Sequence, residues 1–314
     1  MKTHTPKPLI ALLMVGTAGI SSLAADQIDL PLPEAGWIVP SEHEGRLATE
    51  PIRVIINGVG TFDVDPAGIQ TLRPDIVQTN HVSVFDIIVK LDQDEDIGLE
   101  YNYDESMETH VIDSLSGESG WWYQAHYDSG WMERNAHRMD HYPVKNGTRI
   151  RFLRPDPVRL EVIFAEFAEE VVGIAENDGV VIAPWVEIEG PRGSGDRILF
   201  KDVVVTAHDT RADLFRPGTI TALDVLLSMG EQGLLTGLGI TWYDSIFRAD
   251  PVDHYFVEHI QAEDFNHQAF GSCGFVYEIG YSSIGGFDGA HVHIPTDARV
   301  LVSPEYALWF WLCL

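Results

Sequence analysis

Residues 121–141 concentrate aromatic side chains that are suited to ligand binding. The aromatic members are Trp121, Trp122, Tyr123, Tyr127 and Trp131. Aromatic rings offer a large contact area at low conformational cost, so an aromatic strand is typical of a stacking platform for a planar or sugar-like ligand. Neighbouring strand residues point to opposite faces, so we expect at least one of Trp121 and Trp122 to pack in the core instead.

The same segment also carries soft metal ligands. They are His126, Met132, His137, Met139 and His141. Imidazole together with thioether suits copper, because Cu(I) accepts soft sulfur ligands. In a strand, His137, Met139 and His141 would share one face. The alternative is that these residues belong to the core and to loops.

A second candidate metal site is the pair His291 and His293. Residues two apart in a strand project to one face, so both imidazoles could chelate one zinc or copper ion. A third ligand would come from His254, His259, His267 or a carboxylate. The alternative is a pair of solvent-facing histidines.

The acidic residues 92–98 resemble the start of a calcium-binding loop. However, Ile97 stands where an EF-hand needs glycine, and Tyr103 stands where it needs the bidentate glutamate. We therefore rank calcium below copper and zinc, with a solvated acidic turn as the alternative.

The sequence lacks the common motifs of catalysis. It has no G-x-S-x-G, H-E-x-x-H, Walker or G-x-G-x-x-G pattern. Carboxylates are abundant, so no pair stands out as general acid and base. Binding is therefore favoured over catalysis, with a polysaccharide-active enzyme as a further alternative that needs two carboxylates facing each other across a cleft.

The elements that carry these residues occur twice along the chain. Ser83 with Asp86, and Thr221 with Asp224, are each typical of a helix N-terminus. Strand-like stretches match in the same order: residues 52–59 with 198–205, 99–101 with 239–243, 109–112 with 255–258, 120–127 with 274–281, and 149–152 with 299–302. This order predicts a duplicated unit.

The repeat predicts an α+β fold that is β-rich overall, with one helix on a mostly antiparallel sheet in each unit. The predicted units are residues 51–155 and 198–314. Residues 156–197 form a connecting β-rich segment. There, alternating apolar residues favour a strand from Val158, although the same stretch also fits an amphipathic helix.

The strand, S/T-x-x-D helix, aromatic strand and closing Arg-Ile-x-Phe strand resemble the C-terminal domain of transcobalamin and intrinsic factor. The likeness covers residues 83–152 and, more weakly, 221–302, and Trp121, Trp122 and Tyr123 match the aromatic strand of that family. The resemblance implies two β-grasp-like units. The helical barrel that carries much of the vitamin contact in transcobalamin has no counterpart in this sequence, so the resemblance does not extend to corrinoid binding.

The charge of the chain limits its partners. There are 48 acidic residues against 20 Lys and Arg, a formal charge of −28. Such a chain is repelled by phosphates and by anionic lipid headgroups, which argues against nucleic-acid and membrane-surface binding. The remaining partners are a small-molecule, metal or glycan ligand, or another exported protein.

The first residues are typical of a secretory signal peptide. Lys2 and Lys7 precede an apolar run, and small residues before Asp26 suit cleavage, so residues 1–25 are the predicted signal and residues 26–50 an extended leader arm. The apolar run is too interrupted to span a membrane. We therefore expect a secreted or periplasmic protein, without membrane insertion after signal removal.

In an oxidising compartment, Cys273 and Cys313 are expected to form a disulfide. Residues 303–314 are too apolar for a loose tail, so we expect a buried last strand tied to Cys273. The function predicted from the sequence is an exported acidic ligand-binding or interaction protein. A transition-metal-binding protein is the second prediction.

Overall fold

The structure is a computed structural model that describes residues 27–31, 43–127, 137–246, 249–281 and 295–313. The predicted signal peptide lies outside these residues. The described chain is β-rich, with three α-helices and several small sheets, which is compatible with the α+β class. None of its helices is long and apolar enough to cross a membrane.

The elements fall into two sets, which we call the first and second units. The first unit contains β2 (Ile52–Ile56), β3 (Gly60–Val64), α1 (Val84–Glu95), β4 (Leu99–Asp104), β5 (Thr109–Leu115), β6 (Trp122–Tyr127), a 3-10 helix (Met139–His141) and β7 (Thr148–Leu153). The second unit contains β8 (Val181–Glu189), β9 (Arg197–Val205), α3 (Ala222–Glu231), β10 (Gly237–Tyr243), β11 (His254–Ala262), β12 (Phe265–Gln268), β13 (Cys273–Gly280) and β14 (Tyr306–Cys313). The two remaining elements are β1 (Gln27–Pro31) and α2 (Pro157–Glu176).

The main sheets of the two units have the same strand order and directions. The first has the order β3-β2-β7-β6, with β2 parallel to β7 and the other neighbours antiparallel. The second has the order β9-β8-β14-β13, with β8 parallel to β14. A smaller sheet also recurs, since β4 pairs with β5 as β10 pairs with β11. Both small pairs have a register shift at the same point, Glu100/Tyr101 and Gly239/Ile240.

Both predicted helix starts are confirmed. Ser83 precedes α1, and its side chain accepts the amide of Asp86 while the Asp86 carboxylate accepts the amide of Ser83 at 2.7 Å. Thr221 and Asp224 form the same capping box at α3, with the Thr221 amide 2.6 Å from Asp224 Oδ2. The reciprocal bonds satisfy amides that have no partner inside the helix.

Strand pairing changes two of the matches expected between the units. The counterpart of β2 is β8, because each lies parallel to the last strand of its unit, so residues 52–59 do not correspond to 198–205. Residues 299–302 do not correspond to β7 either. The Ala222 amide bonds Arg299 O as the Val84 amide bonds Tyr142 O, which places Arg299 opposite Tyr142 and makes β14 the counterpart of β7.

The strand expected from Val158 is wrong, because residues 157–176 form α2. Asp156 caps this helix by accepting the Val158 amide at 3.0 Å, and Pro157 suits the first helical position because its fixed φ is already helical. The buried face includes Phe167 and Glu170. The Glu170 carboxylate bonds Arg138 of the first unit and the Tyr281 hydroxyl of the second, so α2 joins both units.

The two units also meet through two backbone hydrogen bonds that are arranged symmetrically between them. The Gln78 amide donates to Leu214 O at 2.9 Å, and the Arg216 amide donates to Ile76 O at 2.8 Å. Residues 76 and 78 lie 138 positions before 214 and 216, the same offset that relates Ser83 to Thr221. Equivalent segments therefore face each other across a local two-fold relation.

The predicted disulfide is confirmed, and the predicted last strand is present but buried only in part. Cys273 and Cys313 are bonded and stand opposite each other in the β13–β14 register. β14 lies between β13 and β8, where Ala307 and Trp309 are fully buried, so its apolar composition is explained by a central place in the sheet.

Candidate interaction site

The residues expected to form an aromatic platform lie in the core. Trp121, Trp122 and Tyr123 are all buried. The Trp122 ring packs against Phe164 and Phe167 of α2, with centroids 5.8 and 6.1 Å apart. Both faces of β6 are therefore covered, which is why two neighbouring tryptophans can both be buried. Tyr127 ends β6, and Trp131 lies outside the described residues.

The proposed copper ligands do not share a strand face. Met139 and His141 belong to the 3-10 helix, and Met139 is buried in the core. The Nε2 atom of His141 lies 2.8 Å from the Arg73 guanidinium. Burial, with Arg138 and Arg73 nearby, lowers the pKa of His141 to about 3, although the neighbouring Asp140 charge acts in the opposite direction. A nitrogen that accepts from a guanidinium is not available to a cation.

The other metal candidates are not brought together either. His126 lies in β6, whereas Met132, His291 and His293 lie outside the described residues. In the part of the chain that the structure describes, no three His, Cys, Asp or Glu side chains are grouped to hold a metal ion. The acidic residues 92–98 form the end of α1 and the turn after it, where Asp92 Oδ1 accepts the Leu99 amide at 3.0 Å.

A buried arginine–aspartate centre lies beside α1 instead. Arg73 binds Asp75 through two parallel hydrogen bonds of 3.0 and 2.7 Å, and its Nη1 atom donates to Asp140 at 3.2 Å. Asp140 also accepts the His110 amide at 2.9 Å and the Thr109 hydroxyl. Burial alone would raise the pKa of Asp140, but these hydrogen bonds and the neighbouring positive charges hold it below its ordinary value.

Above this centre lies an aromatic surface that is open to solvent. The Tyr103 ring on β4 meets His110 on β5 with centroids 5.0 Å apart, and the Arg73 guanidinium lies 5.7 Å from the Tyr103 centroid. His110 is fixed from below, because its Nδ1 atom lies 2.9 Å from Asp140 and its ring stacks on Phe85 of α1 at 5.2 Å. Tyr103 and the Asp75 carboxylate remain exposed.

The second unit repeats this arrangement. Arg211 binds Asp213 through two bonds of 2.9 Å and donates to Asp297 at 3.0 Å, as Arg73 binds Asp75 and Asp140. Asp297 accepts the Tyr255 amide at 3.0 Å, as Asp140 accepts that of His110. The rings correspond as well. Trp242 meets Tyr255 at 5.0 Å, with Arg211 5.3 Å from the Trp242 centroid.

The repeat assigns a role to the Asp140–His110 contact. A carboxylate that holds an imidazole can orient a general base. In the second unit the residue equivalent to His110 is Tyr255, but Asp297 still contacts an imidazole, because His254 Nδ1 lies 3.0 Å from its Oδ1 atom. Asp297 also accepts the Tyr255 amide and an N–H of Arg211. Asp140 and Asp297 therefore share the task of positioning a strand, an arginine and a histidine within the fold.

In the second unit the aromatic pair is covered by the chain's own leader arm. The His43 ring stacks on Trp242 with centroids 5.0 Å apart and planes 8° from parallel. The Gly45 amide then donates to Asp213 at 2.8 Å. A side chain at Gly45 would force Arg211 to shift, because its Cβ would lie 2.8 Å from Arg211 Nη2. The arm therefore lies directly on the arginine–aspartate pair.

The next residue of the arm adds a charged contact. Arg46 donates from its backbone amide at 2.9 Å and from its side chain at 2.8 and 3.0 Å to Asp253. Asp253 has a left-handed backbone, with φ of 54°. Its counterpart Glu108, which precedes Thr109 as Asp253 precedes His254, has φ of 51° and is exposed.

Exposure separates the two copies. Tyr103 is 44% exposed, whereas Trp242 is 5% exposed. The Asp75 side chain is 60% exposed, whereas that of Asp213 is 7% exposed. The first unit thus keeps the chemistry of a surface whose second copy is occupied. We call the exposed residues Asp75, Tyr103 and Glu108, together with the partly buried His110, the open surface.

None of these four residues was identified as a candidate site from the sequence. The signal available in the sequence is an R-x-D triplet at residues 73–75 and again at 211–213, separated by the same offset as the two helix caps. The triplet also occurs at residues 138–140, 154–156 and 248–250, so only the offset distinguishes this pair. The remaining members come from distant strands and are brought together only by the fold. Comparison of the chain with protein-family models, with curated proteins and with solved structures gives no match.

Proposed function

We propose that the protein is an exported acidic binding protein built on two β-grasp-like units, and that it binds another exported protein through the open surface of the first unit. The β-grasp-like assignment is supported by a sheet in which the first and last strands of each unit are parallel neighbours, with a helix connection. Export is supported by the disulfide, since such bonds persist in oxidising compartments.

One observation carries the binding proposal. Residues 43–46 of the chain occupy the second copy of the surface through a stacked ring, a glycine amide and an arginine. The first copy keeps the acceptors for such a segment: Asp75 for the amide, Glu108 for the arginine and Tyr103 for the ring. The ligand chemistry is therefore a peptide segment that carries a ring and a positive charge, which also complements a chain of charge −28.

The test uses a synthetic peptide with the sequence of residues 43–50, blocked at both ends, added to the full-length mature protein. We expect one peptide to bind per chain, measured by titration calorimetry. Y103A and D75N should each weaken binding by roughly tenfold, the effect of about 1.4 kcal/mol. The matched control is V158A, because Val158 is exposed on α2 away from the open surface. No binding, or equal binding by the variants, would contradict the proposal.

A further inference from the structure

The outer edge of β4 is the second open feature of the first unit. Among the described strands, β4 pairs only with β5. Its four central residues, Glu100 to Tyr103, are all exposed. An edge strand with free amides and carbonyls is a template on which another strand can pair. Tyr101, 39% exposed, lies two residues from Tyr103 and so on the same face of β4.

The equivalent edge in the second unit is filled by the leader arm. β1 pairs with β10 antiparallel over five residues, from Gln27 opposite Thr241 to Pro31 opposite Gly237. β10 is the counterpart of β4, because both have the same register shift against their partner strands. The five central residues of β10, Leu238 to Trp242, are buried. The arm thus makes two contacts with the second unit, a strand at the edge and residues 43–46 on the aromatic surface.

Building on the proposed function, we infer that the first unit binds its partner by strand addition. An extended segment of another exported protein pairs antiparallel with the first residues of β4, as β1 does with β10. A ring-x-Gly-Arg sequence that follows this segment then lies on the open surface, as His43 to Arg46 does on its second copy. Backbone pairing provides affinity, and the ring, the glycine and the arginine provide specificity.

The acidic residues of the first unit and the space beside Arg73 suit a partner segment of this sequence. Glycine is favoured at position 45 of the arm, because a Cβ there would displace Arg211, and Arg73 holds the same place in the first unit. Asp75 and Glu108 stand where Asp213 and Asp253 receive Gly45 and Arg46. Leader arms from further copies of the chain cannot fill every such surface. Each chain has two copies of the surface, one in each unit, but a single leader arm.

The experiment compares the peptide of residues 43–50 with a longer peptide of residues 26–50, each titrated into the full-length mature protein. The longer peptide should bind roughly tenfold more tightly, because it adds several backbone hydrogen bonds whose gain is only partly offset by the entropy of ordering. Hydrogen exchange should slow at alternate amides of β4. N-methylation at the peptide positions that face β4 should remove the gain, whereas N-methylation at the outward positions should not.

The outcomes separate the two proposals. If both peptides bind with equal affinity and β4 amides exchange at their free rate, strand addition is refuted while surface binding stands. If neither binds, the proposed function fails as well. Self-association of the protein alone, measured by light scattering and abolished by Y103A, would make a second copy the occupant and overturn the assignment to a foreign partner.

Discussion

Lys145 is the most instructive residue to replace, because it is a buried lysine between the two units. It precedes β7 of the first unit, and its Nζ atom donates to Val252 O in the second unit at 3.2 Å. Burial lowers its pKa from 10.5 to about 7, although Asp297 and Asp253 nearby act in the opposite direction. Lys145→Met keeps a long unbranched side chain, one atom shorter than lysine, and removes the titration.

The expected change in the free energy of unfolding follows from the difference between the pKa of Lys145 in the unfolded chain and in the folded protein. From pH 7 to 10.5 the unfolded chain holds a proton at Lys145 that the folded protein has lost, so the free energy of unfolding rises with pH. The limiting slope is about 1.4 kcal/mol per pH unit. Between pH 7 and pH 9, Lys145 alone should raise the free energy of unfolding by about 2 kcal/mol.

The measurement is urea unfolding followed by tryptophan fluorescence at pH 7, 8 and 9. The rise attributed to Lys145 should be missing in K145M. It should persist in the control K90M, because Lys90 is a surface residue paired with Asp94. If wild type and K145M gain stability in parallel over this range, the lysine is charged in the folded protein and the reasoning is wrong.

Three further predictions concern the same unfolding measurement. Burial is the main cause that lowers the pKa of His141 to about 3 and of His254 to about 4, so the unfolded chain takes up protons first as the pH falls below 6.5. The free energy of unfolding should therefore fall by about 3 to 4 kcal/mol from pH 6 to 4.5, and a fall of the same size in H141N/H254N would contradict this. Replacing Cys273 and Cys313 by serine should lower the free energy of unfolding by about 4 kcal/mol, because the disulfide closes a loop of 40 residues. An unchanged urea midpoint would argue against this contribution of the disulfide. S83A and T221A should each lower the free energy of unfolding by about 1 to 2 kcal/mol, because each removes a buried helix cap. The control S106A, in an exposed turn, should leave it nearly unchanged, and equal effects of all three variants would refute the role of the caps.

Local signals in the sequence predicted local structure well. The S/T-x-x-D pattern determines both helix starts because its two reciprocal bonds involve only four consecutive residues. The strand predicted from Val158 failed for the opposite reason. Its alternating apolar residues fit two structures, and the capping residue Asp156 with Pro157 should have decided between them in favour of the helix.

The candidate site depended on information that one sequence does not contain. Trp121 and Trp122 alternate as strand residues do, but only the fold shows that β6 is covered on both faces, with Trp122 packed against α2. Arg73, Tyr103 and His110 are far apart in sequence and carry no motif that joins them. Their relation becomes visible because a second copy, with Trp242 and Tyr255 in place of Tyr103 and His110, lies under the leader arm.

The pairing of residues 76–78 with residues 214–216 has a consequence for the origin of the chain. The same patch of each unit contacts its equivalent, which is the isologous interface of a two-fold homodimer. A single ancestral unit with this patch would dimerise with itself. Joining two units in one chain makes that association intramolecular, at an effective concentration in about the millimolar range. In such a tethered pair the two copies of one surface need not stay alike, and here the second copy is covered by the chain's own arm while the first is open to solvent.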